Sequence, residues 1–370
     1  MVGPDTSARQ GRSARPEQIA DHLRSRIVDG VYKPGTRLPP RARLSGELGA
    51  STGTLQRALD RLSREGFVRV RPRGGTYVAV EPPHRNHYGL AFTAPPTHHA
   101  VWEGARFWTV LHRQASLMQK AAGRAGAGFS IYTGVDERVG GEEYRRLRAD
   151  VLARRLAGVI LTVPFHLMDL ARHSPIPCVG MYDRDNLPGI LPVCLDQRQW
   201  LDRALEYLAG RGRRRVAAVM PSSGPPERRE EVLAAIEARG MAASPWWVQG
   251  VDVQSPHWAR PCVRMLLGAP PGQRPDGLLI LDDTLADHAI AAAVEAGVTD
   301  PGELDVVAHC NFPWGGTDLL PVKRLGWDAR QVLQTCMDVI DRAAAGEPVE
   351  GITRVPLHFE DELLAEAAAR

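Results

Sequence analysis

The sequence lacks the features that mark membrane proteins and exported disulfide-bonded proteins. Its 370 residues contain no run of about 18 consecutive apolar residues, the length that a membrane-spanning helix needs. The five cysteines include no C-x-x-C pair, which argues against a zinc ribbon and against thioredoxin-type chemistry. The N-terminal segment has no apolar stretch of the kind found in a secretory signal, so we expect a cytoplasmic protein with reduced thiols.

Catalytic and metal-binding motifs are missing as well. No G-x-S-x-G, H-E-x-x-H, Walker A or G-x-G-x-x-G pattern occurs. The three lysines, Lys33, Lys120 and Lys323, lie in segments that do not suit a Schiff base with pyridoxal phosphate. The neighbouring His98 and His99 do not readily share one metal ion, and no third ligand is evident. We therefore expect neither an enzyme nor a metal or cofactor site.

Charge is unevenly distributed, although the net charge is only +3. Residues 1–80 hold 15 Lys and Arg against 7 Asp and Glu, a net charge of +8. Residues 81–370 hold 31 against 36, a net charge of −5. A basic segment joined to an acidic remainder is typical of a nucleic-acid-binding module attached to a separate domain. A basic face that only contacts solvent would give the same totals, so charge alone leaves both interpretations open.

Three helices and a hairpin are predicted in the basic segment. Helical spacing of apolar residues runs from Arg15 to Gly30, a short second helix spans 40–48, and a third runs from the N-cap Ser51 to Glu65. Strands at 67–70 and 76–80 follow as a hairpin. The third helix carries three inward-facing leucines, Leu55, Leu59 and Leu62.

This order of elements predicts a winged helix-turn-helix, whose third helix can enter the major groove of DNA. A small helical domain that binds another protein is the alternative. Arginines at exposed positions of the third helix and hairpin argue against that alternative, because they suit contacts with phosphates and base edges. These arginines are Arg57, Arg61, Arg64, Arg69, Arg71 and Arg73.

Residues 17–79 also resemble the GntR family of bacterial regulators. The resemblance rests on the segments QIADHLRSRIVDGVYKPGTRLPP, LSGELGASTGTLQRALDRLSREGFV and GGTYVA. It implies a winged helix-turn-helix that binds an operator of double-stranded DNA.

The residues that contact DNA in that family are partly replaced here. Ala42, Thr52 and Gln56 stand where the family has arginines, and Arg73 stands where the wing has its first glycine. Because arginine pairs with guanine and glutamine with adenine, we expect an operator unlike the common one. Weak DNA binding is the alternative. The candidate DNA-binding residues are Arg41, Arg43, Ser51, Thr52, Thr54, Gln56, Arg57, Arg71, Arg73 and Gly75.

Strands and helices alternate beyond a proline-containing linker at 81–86. Strands are predicted at 88–93, 129–132, 158–163, 178–181, 215–220, 246–250, 277–281 and 305–309. Helices are predicted at 100–122, 142–155, 167–171, 197–210, 227–239, 258–267 and 285–296. This alternation predicts an α/β fold of two lobes, each a parallel sheet with helices on both faces.

The chain is accordingly divided into four parts. We expect a disordered basic arm at 1–14, a winged helix-turn-helix at 15–80 (the head), the linker, and a two-lobed domain at 87–370 (the body). The break between the lobes is placed near residue 195, with crossovers near 315 and 350. The body is expected to bind an effector and to mediate dimerisation.

Residues 86–360 resemble the effector-binding domain of LacI/GalR regulators, which is similar to periplasmic sugar-binding proteins. The segments that carry the likeness are LAGVILTVP, RGRRRVAAVM, PDGLLILDDTLADHAIAAAVEAGVTDPGELDVVAHCNFP and LGWDARQVLQTCMDVIDRAAAGEPV. A GntR head on such a body resembles the arabinose-repressor type of architecture. It implies an effector bound at the carboxyl ends of the strands, in the crevice between the lobes.

That resemblance supplies the candidate ligand-binding residues. Cys310 replaces the family's aspartate and Asp282 its asparagine, so the identity of the effector cannot be carried over. Further aromatic side chains that could stack on a sugar ring are Phe107, Trp247, Trp258 and Trp314, and the loop at 94–99 is a further candidate. The principal candidates are Trp102, Trp108, Arg228, Arg229, Asp283 and Asn311.

We expect a ligand-responsive, homodimeric transcription regulator, in the simplest case a repressor of genes for carbohydrate uptake or catabolism. Two alternatives keep the DNA-binding head. In one the body is only a dimerisation scaffold, and in the other it senses a small molecule that is not a sugar. An orphaned transport receptor is disfavoured by the basic head.

Overall fold

The computed structural model describes nine segments of the chain. The described segments are 15–72, 74–94, 105–122, 127–183, 187–223, 227–270, 272–298, 302–313 and 319–369. The expected basic arm at 1–14 lies outside them. No helix in these segments is long and apolar enough to cross a membrane.

The head has the predicted order of elements. It contains α1 (Pro16–Val28), α2 (Arg41–Leu48), α3 (Thr52–Arg64), β1 (Val68–Arg71) and β2 (Gly75–Val78). The two strands pair antiparallel as a hairpin. The order of three helices and a wing confirms the winged helix-turn-helix expected from the sequence.

The head has an apolar core of its own. The three leucines predicted to face inward from α3 are buried, as expected, and they pack with side chains from α1 and β1. This core contains residues of the head alone. It is lined by residues that include Ile19, Leu23, Leu55, Leu59, Leu62 and Phe67.

The first lobe begins after the linker. Its elements are β3 (His87–Phe92), α4 (Ala105–Ala122), β4 (Gly128–Thr133), α5 (Glu142–Leu152), β5 (Gly158–Leu161), α6 (Met168–Arg172), β6 (Cys178–Met181) and β7 (Leu191–Cys194). The sequence did not predict β7, which contains Pro192, because a proline usually indicates an edge strand or no strand.

The second lobe follows β7 directly. Its elements are α7 (Gln197–Gly210), β8 (Val216–Pro221), α8 (Glu227–Glu237), β9 (Val248–Val251), α9 (Ala259–Leu267), β10 (Gly277–Ile280), α10 (Asp283–Glu295), β11 (Asp305–Phe312) and β12 (Val322–Asp328). The chain ends with α11 (Ala329–Ala344), β13 (Thr353–Arg354), β14 (His358–Phe359) and α12 (Glu360–Ala368).

Each lobe is built on a six-stranded sheet. The order is β13-β7-β6-β5-β3-β4 in the first sheet and β14-β12-β11-β10-β8-β9 in the second. All neighbouring strands are parallel except β14, which runs antiparallel to β12. This is the expected α/β fold of two parallel-sheet lobes.

The chain passes between the lobes three times. It leaves the first lobe after β7, returns where β12 leads into α11, and crosses again between β13 and β14. The crossover expected near residue 315 is therefore wrong, because β11 and β12 are neighbours in the same sheet and the chain returns only after Asp328. The largest apolar core spans both lobes, from Leu90 on β3 to Val307 on β11 and Leu325 on β12.

Candidate functional site

The N-terminus of α3 is held by a hydroxyl cap. The Ser51 side chain accepts a hydrogen bond from the Thr54 backbone N–H, with 3.2 Å between Oγ and N. The two hydroxyl oxygens lie 2.8 Å apart, and Thr54 is buried. Thr54, a candidate DNA-binding residue, is thus placed where it supports the helix terminus instead of facing outward.

We predict that Ser51→Ala destabilises the head by about 1 kcal/mol, the usual cost of removing such a cap. Chemical denaturation of the full chain should show this loss of stability when the unfolding signal comes from residues of the head. Ser63→Ala on the exposed part of the same helix is the matched control, and it should change stability by less than about 0.5 kcal/mol. Equal effects of the two substitutions would contradict the assigned cap.

The outer face of α3 presents three of the candidate DNA-binding residues. Thr52 and Arg57 are exposed, and Gln56 is half-buried. The Gln56 amide donates to the Asp60 carboxylate at 2.6 Å, which leaves its carbonyl oxygen available as an acceptor. Glutamine recognises adenine with donor and acceptor together, so binding of that kind requires the amide to turn away from Asp60.

The second helix and the wing border this face. Arg41 and Arg43 are exposed at the start of α2, and Arg43 forms an ion pair with Glu47 at 2.7 Å. In the wing, Arg71 lies over the Tyr77 ring, with its guanidinium carbon 4.5 Å from the ring centroid. Gly75 also belongs to the wing, and Arg73 lies outside the described residues.

Sequence reasoning missed Arg37 as a neighbour of the wing. A Cβ atom on Gly75 would lie 2.7 Å from Arg37 Nε, so the glycine leaves space for this guanidinium. Gly75 also has a φ of +101°, which an L side chain rarely adopts. Arg37 adds a cation beside the hairpin, and no pattern in the sequence pointed to it.

A second group of polar residues lies at the carboxyl ends of β10 and β11. Asn311 Nδ2 donates to Asp283 Oδ2 at 2.9 Å, and both side chains are buried. Asp282 caps α10 by accepting from the Thr284 N–H at 2.8 Å. The helix cap is therefore Asp282, and the neighbouring Asp283 is aimed at Asn311. The structure thus brings together two of the candidate ligand-binding residues.

Burial raises the pKa of the Asp283 carboxyl above its usual value. The nearby His309, the Arg106 guanidinium and the hydrogen bond from Asn311 act in the opposite direction. A buried carboxylate with one amide partner retains further acceptor capacity on its oxygens. It is suited to accept hydrogen bonds from hydroxyl groups of a small molecule.

Several polar atoms beside this pair are buried without a hydrogen-bond partner among the described residues. They are both ring nitrogens of His309, the indole nitrogen of Trp327 and the hydroxyl of Thr284. His309 lies on the same strand face as Asn311, and Trp327 is paired in register with Asn311. An unsatisfied buried polar group costs roughly 1–3 kcal/mol, so a polar ligand placed here would be favoured.

Arg106 joins the two lobes at this point. It lies on α4 of the first lobe, and its guanidinium donates to the Asp283 carbonyl oxygen at 2.6 Å and to the Asp287 carboxylate at 3.0 Å. Sequence reasoning missed this residue, because one arginine on an amphipathic helix has no distinguishing pattern. Within the described residues no group of three His, Cys, Asp or Glu side chains could hold a metal ion.

The other candidate ligand-binding residues have different surroundings. Arg228 forms an ion pair with Glu231 on its own helix, at 3.5 Å, and Arg229 donates to the Pro245 carbonyl oxygen. Trp108 packs in the core against Phe92, with ring centroids 5.8 Å apart.

The remaining aromatic candidates are placed variously. Phe107 is buried in the same core as Trp108, Trp247 is half-buried, and Trp258 is mostly exposed. Trp102, Trp314 and residues 95–99, with His98 and His99, lie outside the described residues.

Two family models match separate parts of the chain. The model of bacterial regulatory proteins of the gntR family matches residues 15–78, and the model of the periplasmic binding protein-like domain matches residues 205–357. The chain carries a GntR-type helix-turn-helix and a periplasmic-binding-protein-like domain. The first match covers the described head, and the second covers most of the second lobe, including the Asp283–Asn311 pair.

Curated relatives match mainly the GntR-type head. The uncharacterized HTH-type transcriptional regulator YhdI of Bacillus subtilis is 40% identical over 67 residues, 18% of this chain and 14% of that protein. The HTH-type transcriptional regulator GntR of Pseudomonas aeruginosa is 27% identical over 227 residues, 57% of this chain and 62% of that protein. The chain thus spans about a seventh of YhdI and less than two thirds of the second relative.

Solved structures resemble the periplasmic-binding-protein-like domain. A LacI family transcriptional regulator from Lactobacillus casei with bound glucose superposes with a TM-score of 0.53 at 19% identity, covering 74% of this chain and 98% of that one. At this identity the likeness concerns the fold alone, and it agrees with the two parallel-sheet lobes described above.

Proposed function

We propose that this chain is a ligand-responsive transcription regulator that binds DNA through its head and a small molecule between the lobes of its body. The observation that carries the proposal is the combination of a GntR-type recognition helix with buried, unsatisfied polar groups beside Asp283 and Asn311. A DNA-binding unit and a ligand-binding unit in one chain provide the two sites that allosteric regulation requires.

The DNA-binding half of the proposal is supported by the surface of the head. Thr52, Gln56 and Arg57 lie on the outer face of α3, and Arg41, Arg43 and Arg71 lie around it. Residues 1–80 carry a net charge of +8, which favours approach to phosphates. Two heads on a dimer would bind the half-sites of a pseudo-palindromic operator.

We infer that the ligand is a carbohydrate. A sugar presents hydroxyls that donate to carboxylate oxygens and accept from amides, and the Asp283–Asn311 pair offers both. The bound glucose of the Lactobacillus casei regulator, which shares this fold, supports the same class of ligand. We also propose homodimerisation, a cytoplasmic location and repression, because blocking a promoter needs no contact with RNA polymerase.

The DNA-binding proposal predicts different effects for two neighbouring residues of α3. Arg57→Ala should weaken binding to all duplexes and lower the salt slope by about 1, as expected for one lost phosphate contact. Gln56→Ala should cost about 1–3 kcal/mol on the preferred duplex and little on others, because a base contact is lost. Fluorescence anisotropy at several salt concentrations measures both effects.

The matched control for the DNA measurements is Arg198→Ala. Arg198 is an exposed arginine on α7 of the body, so this variant removes the same charge away from the head. It should leave the slope of the salt dependence unchanged. Equal losses for Arg57→Ala and Arg198→Ala would mean that DNA binding is a property of net charge alone.

The ligand-binding proposal predicts that a panel of sugars contains at least one that raises the melting temperature of the full chain. A ligand at 100 times its Kd adds about 2.7 kcal/mol of stability. Asp283→Asn should preserve the contact with Asn311 but reduce the affinity about tenfold or more, because a charged acceptor is lost. Asp202→Asn, which changes an exposed carboxylate on α7, should leave the shift intact.

A second candidate function is supported by the Arg106 bridge. Its guanidinium already joins the lobes through Asp283 and Asp287, and Cys310 stands where LacI-type domains have an acceptor carboxylate. In this alternative the body serves as a dimerisation scaffold or binds a small molecule other than a sugar. A sugar panel without any thermal shift would favour it over the carbohydrate proposal.

A further inference from the structure

Two consecutive arginines of the first lobe contact the head. They lie in the turn after α5, where Arg154 Nη1 is 2.7 Å from Asp29 Oδ1 and Arg155 Nη2 is 3.2 Å from Glu65 Oε1. Asp29 is the C-cap residue of α1, and Glu65 is the C-cap residue of α3. Each arginine thus lies at the C-terminus of a different head helix, where a positive charge is favoured by the helix dipole.

We propose that Arg154 and Arg155 form a docking site that fixes the orientation of the recognition helix α3 relative to the first lobe. This goes beyond the proposed function, which requires communication between body and head but does not say which contacts provide it. The partner that binds this docking site is the head of the same chain, which contacts it at the C-termini of α1 and α3. The four residues Asp29, Glu65, Arg154 and Arg155 are called the docking contact below.

Glu65 is the centre of the docking contact on the head side. Its carboxylate also accepts from Arg24 at 2.5 Å and from Arg61 at 2.9 Å, and its side chain is only 18% exposed. Arg24 is almost completely buried between the helices. Ion pairs with so little solvent exposure hold their geometry more firmly than surface pairs, because breaking one leaves a partly buried charge unpaired.

The body side of the docking contact continues into the sheet of the first lobe. Arg155 also donates to Asp150 at 2.8 Å, and the same carboxylate accepts from the Tyr132 hydroxyl at 2.8 Å. Tyr132 is fully buried on β4. An ion pair between Glu65 and Arg155, followed by hydrogen bonds from Arg155 and Tyr132 to Asp150, therefore joins the end of α3 to the interior of the first lobe.

The backbone at Arg154 gives an independent reason to assign a role to this side chain. Its φ is +51°, and it is the one residue other than glycine with positive φ in the described part of the chain. It follows the C-cap of α5, a position that glycine usually occupies because it adopts this conformation without strain. A residue with such a strained backbone conformation persists where the surrounding structure holds it in place. Here the Arg154 guanidinium contacts Asp29 of the head.

The linker is also packed against the head. The His84 ring stacks on Phe67, with 5.8 Å between centroids and 2° between planes, and Pro83 lies beside Gly66. Burial lowers the pKa of His84 to about 4, with smaller contributions from Arg85 and Arg154. The head thus contacts the body through the folded linker, the partly buried Arg155–Glu65 ion pair and the exposed Arg154–Asp29 ion pair.

Hydrogen–deuterium exchange of the full chain tests the docking contact without DNA or ligand. The amides of Arg85 and Asn86, which bond to carbonyls within the linker, report undocking. The double variant Arg154→Gly, Arg155→Ala should exchange about tenfold faster at these amides. In the single variant Arg154→Gly the melting temperature of the body should hold or rise, because glycine relieves the strain at position 154. Unchanged exchange would overturn the proposal.

Two further variants serve as controls for the exchange experiment. Arg145→Ala removes an exposed arginine from α5 and should not alter exchange in the linker. The charge swap Asp29→Arg, Arg154→Asp should restore protection that each single substitution loses, since aspartate tolerates positive φ. Failure of the swap to recover protection would show that this ion pair does not hold the head.

Tyr132→Phe tests the connection to the sheet. The substitution removes the hydrogen bond from the Tyr132 hydroxyl to Asp150. Amide exchange should then rise about threefold at Glu65 and Gly66, which directly follow α3, although the removed hydroxyl lies in the first lobe. A merely local role of Tyr132 would leave these amides unchanged and would contradict the connection. Because all these measurements omit DNA, their failure is distinguishable from failure of the proposed function.

Discussion

Replacing Leu59 by alanine should strongly destabilise the head and weaken DNA binding while the body keeps its fold. Leu59 is 1% exposed in a core that contains only head residues. A buried Leu→Ala change costs about 2–5 kcal/mol. A domain of this size has a total stability of only about 3–10 kcal/mol at 0.05–0.15 kcal/mol per residue, so the loss removes about half of it.

Exchange or proteolysis of the full chain separates the two outcomes for Leu59→Ala. Amides of α1 and α3 should lose protection, whereas amides of β5 and β10 should keep it. Val31→Ala is the control, because Val31 is 56% exposed in the same domain. Loss of protection throughout the body would contradict the independence of the head core.

A substitution at Gly326 should disrupt the second lobe. Gly326 lies on β12, paired with Cys310 on β11, and a Cβ atom here would overlap the Cys310 carbonyl oxygen. Backbone cannot move aside as a flexible side chain can, so Gly326→Ala must separate two central strands. The loss of folding free energy should exceed about 4 kcal/mol, a value that single substitutions reach only exceptionally.

The expected result for Gly326→Ala is an insoluble protein or one whose second lobe no longer melts cooperatively. Any ligand-induced thermal shift should also disappear, because Asn311 follows Cys310 on the displaced strand. Gly210→Ala at the end of α7, where nothing lies within 4 Å of the added Cβ, should be neutral or slightly stabilising. Wild-type stability of Gly326→Ala would contradict the close pairing of β11 with β12.

The head was largely predictable because its sequence signals are local. Leucines spaced along α3, the Ser51 cap and the hairpin strands each specify structure within a few residues. The burial of Thr54 was not predicted, because its position on the inner edge of the first helical turn depends on the cap geometry. Arg37 was missed because its neighbour Gly75 is distant in sequence.

In the body, local sequence patterns predicted only part of the candidate site. The strand ends that carry Asp283 and Asn311 could be predicted from alternation and resemblance, and the two side chains meet. Arg106 could not, since its contact with Asp283 spans 177 residues and depends on how the lobes pack. The crossing after β12 was misplaced for the same reason: strand order is a tertiary property that local pattern does not encode.

DNA selection followed by a salt titration tests the central claim most directly. The full chain is used to enrich duplexes from a random library, and its affinity for the selected duplex and for a scrambled duplex is measured between 50 and about 200 mM salt. We predict that the chain binds the selected duplex much more tightly than the scrambled duplex. The logarithm of the observed association constant should fall linearly with the logarithm of the salt concentration, with a slope of about −0.9 per phosphate contact. Failure to enrich any sequence, or an affinity that does not change with salt, would contradict the account.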